Sequence, residues 1–189
     1  MCQYKVSATD AKEVDQDLIA WRKGATTMPA NREAALKSID GERTIRIVEA
    51  TRADFPVWKR LRQSLYTSLD PEFHDEEMAW IHDSDEAACF LAWTGTQEAV
   101  ALLEVSLRNV VDGCVGGPVG YVEGVYLEPS ERGQGFGTRL IEFAKDWFLT
   151  RGCREMATDA EIDNVDAQEF YRRIGFTEMW RVVGFTKSL

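Results

Sequence analysis

The sequence predicts an α/β (α+β) domain, a mixed sheet packed against helices, and three observations predict it. A length of 189 residues is enough for one domain with a sizeable core. Apolar, β-branched runs in the middle of the chain are followed by strand–helix–strand–helix alternation, an order typical of a mixed sheet. With 44% hydrophobic and 29% charged residues, the composition is that of an ordinary globular protein, which excludes collagen-like, coiled-coil and wholly disordered chains.

Residues 1–43 are predicted to be an N-terminal extension, separate from a domain that spans residues 44–189. An apolar stripe at helical spacing predicts one helix there, formed by Ala11, Val14, Leu18, Ile19 and Trp21. A second short helix is predicted over 32–39, ended by the Asp-Gly pair at 40–41. The extension carries no recognisable chemistry. A packed segment, a partner-binding arm and a disordered tail are all compatible with it.

From Thr44 onward strands and helices alternate in a regular order. The period-2 pattern of TIRIVEA predicts a strand, and Pro56 near the first turn of an apolar stripe predicts a helix after it. The predicted elements are strand 44–50, helix 52–66, carboxylate-rich helix 70–83, strands 89–94 and 99–107 joined by the hairpin loop GTQE, strand 119–127, helix 135–150, strand 154–159, helix 164–174 and a long strand at 176–187.

Charge and cysteine usage exclude several classes of function. The net charge of −10 lies entirely within residues 44–189 and argues against duplex DNA or an anionic membrane as a partner. No apolar run approaches the roughly 20 residues of a membrane span, and the first residues lack the apolar core of a secretory signal. Four dispersed cysteines and two histidines predict neither a metal site nor a disulfide framework, and free thiols suit a reducing cytoplasm.

A glycine-rich turn is the segment richest in chemical signals. A buried strand ends at Leu127, the loop EPSERGQGFG follows, and a helix then begins. Gly133, Gly135 and Gly137 let successive backbone N–H groups point at one spot in front of the helix dipole, which makes a cradle for a pyrophosphate. An ordinary tight strand-to-helix loop is the alternative. The spacing matches neither a Walker A loop nor the dinucleotide fingerprint.

Two motifs in order resemble a known family. The pattern Arg-x-x-Gly-x-Gly at 132–137 resembles motif A of the GNAT N-acetyltransferase superfamily, and N-x-x-A-x-x-x-Y-x-x-x-G-F at 164–176 resembles motif B. Further stretches at 106–108, 112–114, 118–119, 123–126, 153–159 and 181–183 are similar to the aminoglycoside 6′-N-acetyltransferases. The resemblance covers about residues 44–189. It implies the GNAT acyl-CoA N-acyltransferase fold, with a mostly antiparallel sheet of six or seven strands splayed in the middle and about four helices. It also implies a homodimer, in some members through the C-terminal strand.

The resemblance implies acetyl-CoA as co-substrate and assigns the residues that would bind it. They are Val125, Tyr126, Leu127, Arg132, Gly133, Gln134, Gly135, Phe136, Gly137, Thr138 and Asn164. The backbone N–H groups near 126–127 would hold the oxyanion, and Tyr171 would protonate the departing thiolate. Asn164 also suits an ordinary helix cap, and Tyr171 also suits a core aromatic position.

Three residues are predicted to face the acceptor amine. Glu123 lies in an apolar strand, where a carboxylate is costly unless it is paired or used, and a glutamate on a solvated face of the strand is the alternative. The resemblance implies that Glu123 either binds the ammonium or acts as a base through water. Asp159 ends the next strand and is predicted to bind substrate, although a turn residue fits equally. Tyr66 matches an aromatic that packs on sugar rings. The loop at 109–112 departs from the subfamily, because it is one residue short and lacks an aromatic.

The predicted function is acetyl-CoA-dependent acetylation of the 6′-amine of aminoglycoside antibiotics, a resistance activity. Eight carboxylates between residues 70 and 86, with no Lys or Arg among them, suit a polycationic acceptor, although a solvated acidic helix explains them too. Two alternatives stay open. One is the same chemistry on a polyamine, a small amino sugar or a protein N-terminus, and the other is a non-catalytic acyl-CoA-binding protein.

Overall fold

One six-stranded sheet runs through the described residues, which are 33–37, 43–95 and 98–188 of a computed structural model. The strands lie side by side in chain order. Their bounds are β1 Glu33–Lys37, β2 Thr44–Glu49, β3 Ala87–Thr94, β4 Ala99–Arg108, β5 Val119–Leu127 and β6 Met156–Thr158. The first five strands pair antiparallel, while β5 and β6 pair parallel, so the mixed and mostly antiparallel sheet is confirmed.

Four α-helices accompany the sheet within the described residues: α1 Phe55–Leu65, α2 Pro71–Asp83, α3 Phe136–Thr150 and α4 Val165–Arg173. Proline stands in the first turn of α1 and of α2, where no backbone N–H is needed. The Asn164 side chain accepts a hydrogen bond from the Ala167 N–H at 3.1 Å and caps α4. None of these helices is long and apolar enough to cross a membrane.

The sheet is covered on both faces, which explains why β3 and β4 read as continuous apolar runs. Phe90 and Leu103 pack with α3 on one face, while Leu91 and Leu102 pack with α1 and α2 on the other. Because side chains alternate along a strand, neighbouring residues enter opposite cores. Trp147 is a buried residue of the α3 core, which is the core between α3 and the sheet. The central side chains of both cores are almost completely shielded from water.

Two irregularities in β5 open the sheet near its middle. In the β4–β5 pairing, Glu104 lies opposite Gly124 and Val105 opposite Val122, so Glu123 is an extra, bulged residue. Parallel pairing of β5 with β6 ends at Val122 and Thr158. Beyond that pair β5 continues to Leu127 without β6 beside it, and this is the predicted splay.

Two predicted elements are wrong. The helix predicted over 32–39 is replaced by strand β1, because pairing with β2 at the sheet edge outweighs a weak local preference for helix. The long strand predicted at 176–187 is not formed, since residues 177–188 have no neighbouring strand among the described residues and are solvent-exposed. The helix predicted over the stripe at 11–21 lies outside the described residues.

Candidate active site

The carboxylate of Glu123 is the centre of a polar cluster on the face of the sheet that α1 and α2 cover. Ser106 Oγ donates a short hydrogen bond to its Oε1. Arg108 donates to the same oxygen from Nε at 3.1 Å and from Nη2 at 2.9 Å, and Nη2 also lies 2.7 Å from Oε2. The bulge aims Glu123 toward these two β4 side chains, as bulges commonly do next to functional sites. The carboxylate is thus paired within the chain, and its role toward the acceptor stays a prediction.

Asp159 lies next to this cluster and is connected to it through Tyr121. The Tyr121 hydroxyl donates a short hydrogen bond to Asp159 Oδ1. Burial, together with the hydrogen bond to Asp159 and its charge, raises the pKa of Tyr121, so the phenol stays a donor. The carboxylate of Asp159 is exposed. Two acidic groups predicted to face the acceptor are therefore on the same surface.

Tyr66, at the end of α1, completes this surface. Its hydroxyl donates to the backbone carbonyl of Glu123 at 3.0 Å and lies 3.4 Å from Glu104 Oε2. Burial and the charge of Glu104 raise the pKa of Tyr66 well above its ordinary value. The close approach depends on Gly124, where a Cβ atom would lie 2.3 Å from the Tyr66 hydroxyl. The structure brings Tyr66, Glu123 and Asp159 to one surface, and their contact with the acceptor stays a prediction.

A buried ionic network beneath Tyr66 was missed by the sequence analysis. Glu104 Oε1 accepts hydrogen bonds from Trp58 Nε1 at 2.7 Å and from Arg62 Nε at 2.9 Å. Arg62 also contacts His74 Nδ1 at 3.0 Å and Glu77. Burial raises the pKa of Glu104, and Arg62 and Trp58 oppose that shift. The signal was present, because Glu104 is a carboxylate within the apolar run AVALLEVSL, as Glu123 is within its own strand.

Tyr171, the predicted acid, lies where the two parallel strands part. Its ring packs between Phe170 and Phe176 at centroid distances of 5.3 and 5.4 Å. Burial raises the pKa of Tyr171, and a hydrogen bond with Thr158 opposes the shift. Thr158 belongs to the last pair of the β5–β6 ladder and donates to the Val122 carbonyl at 3.0 Å. The phenol is therefore protonated at neutral pH and stands at the mouth of the splay.

The glycine-rich turn has the geometry of an anion cradle. Gly133 and Gly135 adopt φ values of +76° and +82°, in the left-handed region that favours glycine. A Cβ atom at Gly133 would meet nothing within 4 Å, so the space in front of the turn is open. The first hydrogen bond of α3 runs from the Arg139 N–H to the Gly135 carbonyl at 3.2 Å, and the N–H groups before it are those that helix geometry leaves without an intrahelical acceptor. The backbone of the turn is compatible with a bound pyrophosphate, and this assignment stays a prediction.

The other predicted cofactor residues take different positions around the turn. Arg132 donates to the Leu127 carbonyl at 3.0 Å, and Gln134 donates to the Ser130 carbonyl at 3.2 Å, so both side chains brace the loop. Phe136 is buried in the α3 core and offers only its backbone. The remaining residues of the set are Val125 and Tyr126 on the splayed part of β5, Gly137 against Phe170, exposed Thr138 in the first turn of α3, and Asn164, whose side chain caps α4.

The acidic run at 70–86 is partly neutralised by α1 and the turn before it. Lys59 pairs with Asp75 at 2.7 Å and Arg52 pairs with Asp83 at 2.7 Å. Glu77 reaches the buried Arg62. Three of the eight carboxylates are thus partners of structural cations.

A two-sided sheet that splays beside a glycine-rich helix start, with two carboxylates on one face, is the architecture of an acyl-CoA-dependent N-acetyltransferase. The chain belongs to the acetyltransferase (GNAT) family, whose family model matches residues 51–176. Its sequence is similar to proteins named aminoglycoside N(6′)-acetyltransferase type 1. That of Serratia marcescens is 38% identical over 76% of this chain and 99% of its own length. That of Stenotrophomonas maltophilia is 38% identical over 76% of this chain and 93% of its own.

Solved structures of the same group share the fold. The aminoglycoside 6′-N-acetyltransferase of Acinetobacter haemolyticus superposes with a TM-score of 0.71 at 36% identity, over 76% of this chain and 98% of that one. AAC(6′)-Iy in complex with the bisubstrate analogue CoA-S-monomethyl-acetylneamine gives a TM-score of 0.71 at 29% identity, over 77% and 99%. The predicted family and GNAT fold are confirmed.

Proposed function

We propose that this protein transfers the acetyl group of acetyl-CoA to the 6′-amine of aminoglycosides. The observation that carries the proposal is the placement of Glu123 and Asp159 on one surface beside the β5–β6 splay. Polycationic acceptors need such a surface. The relatives named as aminoglycoside 6′-acetyltransferases, and the neighbour bound to an acetylneamine analogue of both substrates, support it.

The reaction forms a C–N bond and breaks a C–S bond, so the site must take a proton from the acceptor's ammonium and return one to the thiolate. Glu123 holds the ammonium, or accepts its proton through water. Tyr171 supplies the proton to the sulfur, which its raised pKa keeps available on the phenol. The backbone of residues 125–127 faces the carbonyl oxygen of the thioester and stabilises its developing charge. The Gly133–Gly137 turn holds the pyrophosphate.

Thiol release from acetyl-CoA with a matched panel of amines tests the proposal. Neamine carries a 6′-amine, and paromamine is the same molecule with a 6′-hydroxyl. Turnover of neamine, with none of paromamine, is expected. Turnover of spermidine or a short peptide alone would keep acetyl transfer and contradict the aminoglycoside assignment. Absence of turnover with acetyl-CoA bound would favour the non-catalytic alternative.

The role of Glu123 is tested by Glu123→Gln with Glu142→Gln as the matched control. Glu142 is an exposed carboxylate on α3 that pairs with Lys145 and has no contact with the polar cluster around Glu123. The Glu123→Gln change should lower kcat by roughly 10²-fold or more, as loss of general-base catalysis does, and leave the KM of acetyl-CoA unchanged. A wild-type kcat in that variant contradicts the assignment of Glu123 to the acceptor.

We propose further that residues 44–189 form the catalytic domain and act in the cytoplasm, with 1–43 as an N-terminal extension whose residues ahead of β1 are not needed for chemistry. In support, 76% of this chain accounts for 99% of the Serratia relative's length. The three described cysteines are free thiols. Deletion of residues 1–32 removes the extension ahead of β1 and keeps both β1, which pairs with β2, and Arg43, which pairs with the buried Glu131 ahead of the glycine turn at 2.9 Å. The shortened protein should retain kcat and both KM values, and a fall in kcat would contradict the proposal.

We also propose a homodimer in which the C-terminal segment, residues 177–188, of one subunit pairs with the edge of β6 that no described strand covers in the other. Residues 177–188 form no helix or strand of their own, and Val182, Val183 and Phe185 are 77%, 77% and 91% accessible. A second copy offers these apolar side chains a sheet edge, and return of the segment to its own β6 is the alternative. Light scattering is expected to give twice the mass of one chain. Val183→Asp should halve it, and a monomeric wild type contradicts the proposal.

A further inference from the structure

Arg108 places a cation inside the surface that is proposed to receive one. Its guanidinium makes three hydrogen bonds of 2.7–3.1 Å with both carboxylate oxygens of Glu123. Its Cζ atom also lies 3.3 Å from the centroid of the Tyr121 ring. A carboxylate combined with an aromatic face is the arrangement that binds ammonium ligands. The Arg108 side chain therefore occupies the position where the ammonium group of an acceptor is expected to bind.

The second carboxylate of the surface extends this arrangement. Tyr121, under the guanidinium, donates to Asp159. Arg108 therefore lies over the Tyr121 ring, whose hydroxyl is bound to Asp159, and its own guanidinium is bound to Glu123. An acceptor with one ammonium has only the contacts that Arg108 already makes. An acceptor with several ammonium groups gains Asp159 in addition.

The Arg108–Glu123 pair is exposed enough to exchange. The two side chains are 42% and 31% accessible. The Arg62–Glu104 pair nearby is 4% and 1% accessible and has no route to an incoming ligand. Exposed ion pairs contribute little to stability because water and salt compete with them. An ammonium ligand competes in the same way.

We propose that Arg108 is an internal competitor for the acceptor's ammonium at Glu123, and that this competition weakens the binding of every acceptor by the same factor, so that only acceptors with several ammonium groups keep a useful affinity. The inference rests on the proposed function, since it takes Glu123 to face the acceptor. A guanidinium stays protonated at every pH at which the enzyme works, so the competition is permanent. A tethered cation is present at millimolar effective concentration, which a monoamine must exceed. A polycation overcomes it through its additional contacts.

The test compares a monocationic acceptor with neamine in Arg108 variants at saturating acetyl-CoA. Methyl 6-amino-6-deoxyglucoside carries a single amine on the same carbon that neamine presents. Arg108→Met removes the charge and keeps the apolar stem, and it should lower the KM of the monoamine by roughly fivefold, the factor expected for an exposed ion pair at the upper end of its usual strength. The KM of neamine should fall by a similar factor, because its ammonium displaces the same guanidinium. A higher KM for both acceptors would make Arg108 a positioning residue for Glu123 and overturn the inference.

Two further variants separate charge from shape. Arg108→Lys retains the cation and should keep both acceptor KM values within about twofold of wild type; a fall as large as that of Arg108→Met would overturn the inference. In a Glu123→Gln background, Arg108→Met should no longer tighten monoamine binding, measured by calorimetry with CoA present. A persistent gain would refute competition for Glu123. Arg108→Gln makes the same comparison if the Met variant does not fold. Failure of the wild type to acetylate neamine overturns the proposed function, whereas neamine turnover with unchanged acceptor KM values in Arg108→Met overturns this inference alone.

Discussion

Gly124→Ala is the substitution that most directly tests the packing of the proposed acceptor surface, which is formed by Tyr66, Glu123 and Asp159. Gly124 lies opposite Glu104 in the β4–β5 ladder, next to the bulged Glu123. An added Cβ atom would lie 2.3 Å from the Tyr66 hydroxyl oxygen and 2.6 Å from Leu65 Cδ2. Both atoms belong to the C-terminal turn region of α1. The methyl group therefore presses on the helix end that carries Tyr66.

The size of the effect follows from these distances. Restoring an ordinary contact requires Tyr66 to move by about 1 Å, and inserting a methylene into a packed site of this kind costs roughly 1–3 kcal/mol. Movement of the phenol also breaks its 3.0 Å hydrogen bond to the Glu123 carbonyl, worth about 1 kcal/mol. The lower backbone entropy of alanine in the unfolded chain returns about 0.4–1 kcal/mol. A net loss of roughly 1–3 kcal/mol corresponds to a melting temperature lower by about 2–4 °C per kcal/mol.

Thermal unfolding and steady-state kinetics measure this prediction together. Gly124→Ala should lower the Tm and raise the KM of the acceptor, while the KM of acetyl-CoA stays unchanged because the glycine-rich turn is not disturbed. Gly95→Ala is the matched control, since a Cβ atom there meets nothing within 4 Å. Combining Gly124→Ala with Tyr66→Phe should recover part of the lost Tm, because the nearest clashing atom is removed. A single variant with the Tm and acceptor KM of the wild type would refute the packing described for Tyr66.

Three further predictions concern the turn, the acid and the buried network. Gly135→Ala places a side chain on a residue with a φ of +82° at the start of α3, and it should raise the KM of acetyl-CoA. Gly152→Ala is the control, because Gly152 has a φ of +80° beyond the other end of α3. It should lower stability by a similar amount and leave the KM of acetyl-CoA unchanged. Tyr171→Phe should lower kcat by roughly 10²-fold. Because burial raises the pKa of Tyr171 above its ordinary value near 10, the wild-type enzyme should not lose activity below pH 10 through loss of this proton. A fall of kcat below pH 10 that disappears in Tyr171→Phe would contradict the assignment. Glu104→Ala leaves Arg62 buried without its main partner and should lower the free energy of unfolding by about 3–5 kcal/mol in a denaturant titration, against less than about 0.5 kcal/mol for the exposed Glu142→Gln.

The buried network gives the acceptor surface a rigid base. Glu104 connects Trp58 and Arg62 of α1 to the centre of β4. Tyr66 stands one turn further along α1 and reaches the backbone of the bulge. A displacement of α1 would therefore move Tyr66 and Glu123 together. Burial raises the pKa of Glu104 and lowers the pKa of His74. Both shifts favour the uncharged form of the side chain, because burial makes the charged form costly.

Long periodic elements were predictable from the sequence alone. The buried strand at 119–127 has the predicted bounds, and α3 begins one residue after Gly135 and ends at Thr150, as predicted. These elements carry strong local signals: β-branched apolar runs, a glycine-rich turn and an apolar face at helical spacing. Candidate site residues could be proposed from the sequence where a motif is contiguous in the chain, as it is in the turn at 132–137.

Weak signals were decided by contacts between distant residues. The segment 33–37 has the composition of a helix but pairs with β2, and residues 176–187 read as a strand but have no neighbouring strand within the described part of the chain. Asn164 was open between a cofactor ligand and a helix cap, and its side chain forms the cap. A strand needs a partner for its backbone groups, and no local pattern contains that information.

The sequence by itself determined the family, the order of the central elements, the glycine turn and the acidic character of the acceptor side, because each is written in contiguous residues with a local physical meaning. Only the tertiary structure decided that Glu123 is a bulged residue, that Arg108 occupies its carboxylate, and that Glu104 is held by Trp58 and Arg62. Those contacts join residues that are 15 to 46 positions apart. Their geometry depends on strand register and helix packing, which arise from the burial of both faces of the sheet at once.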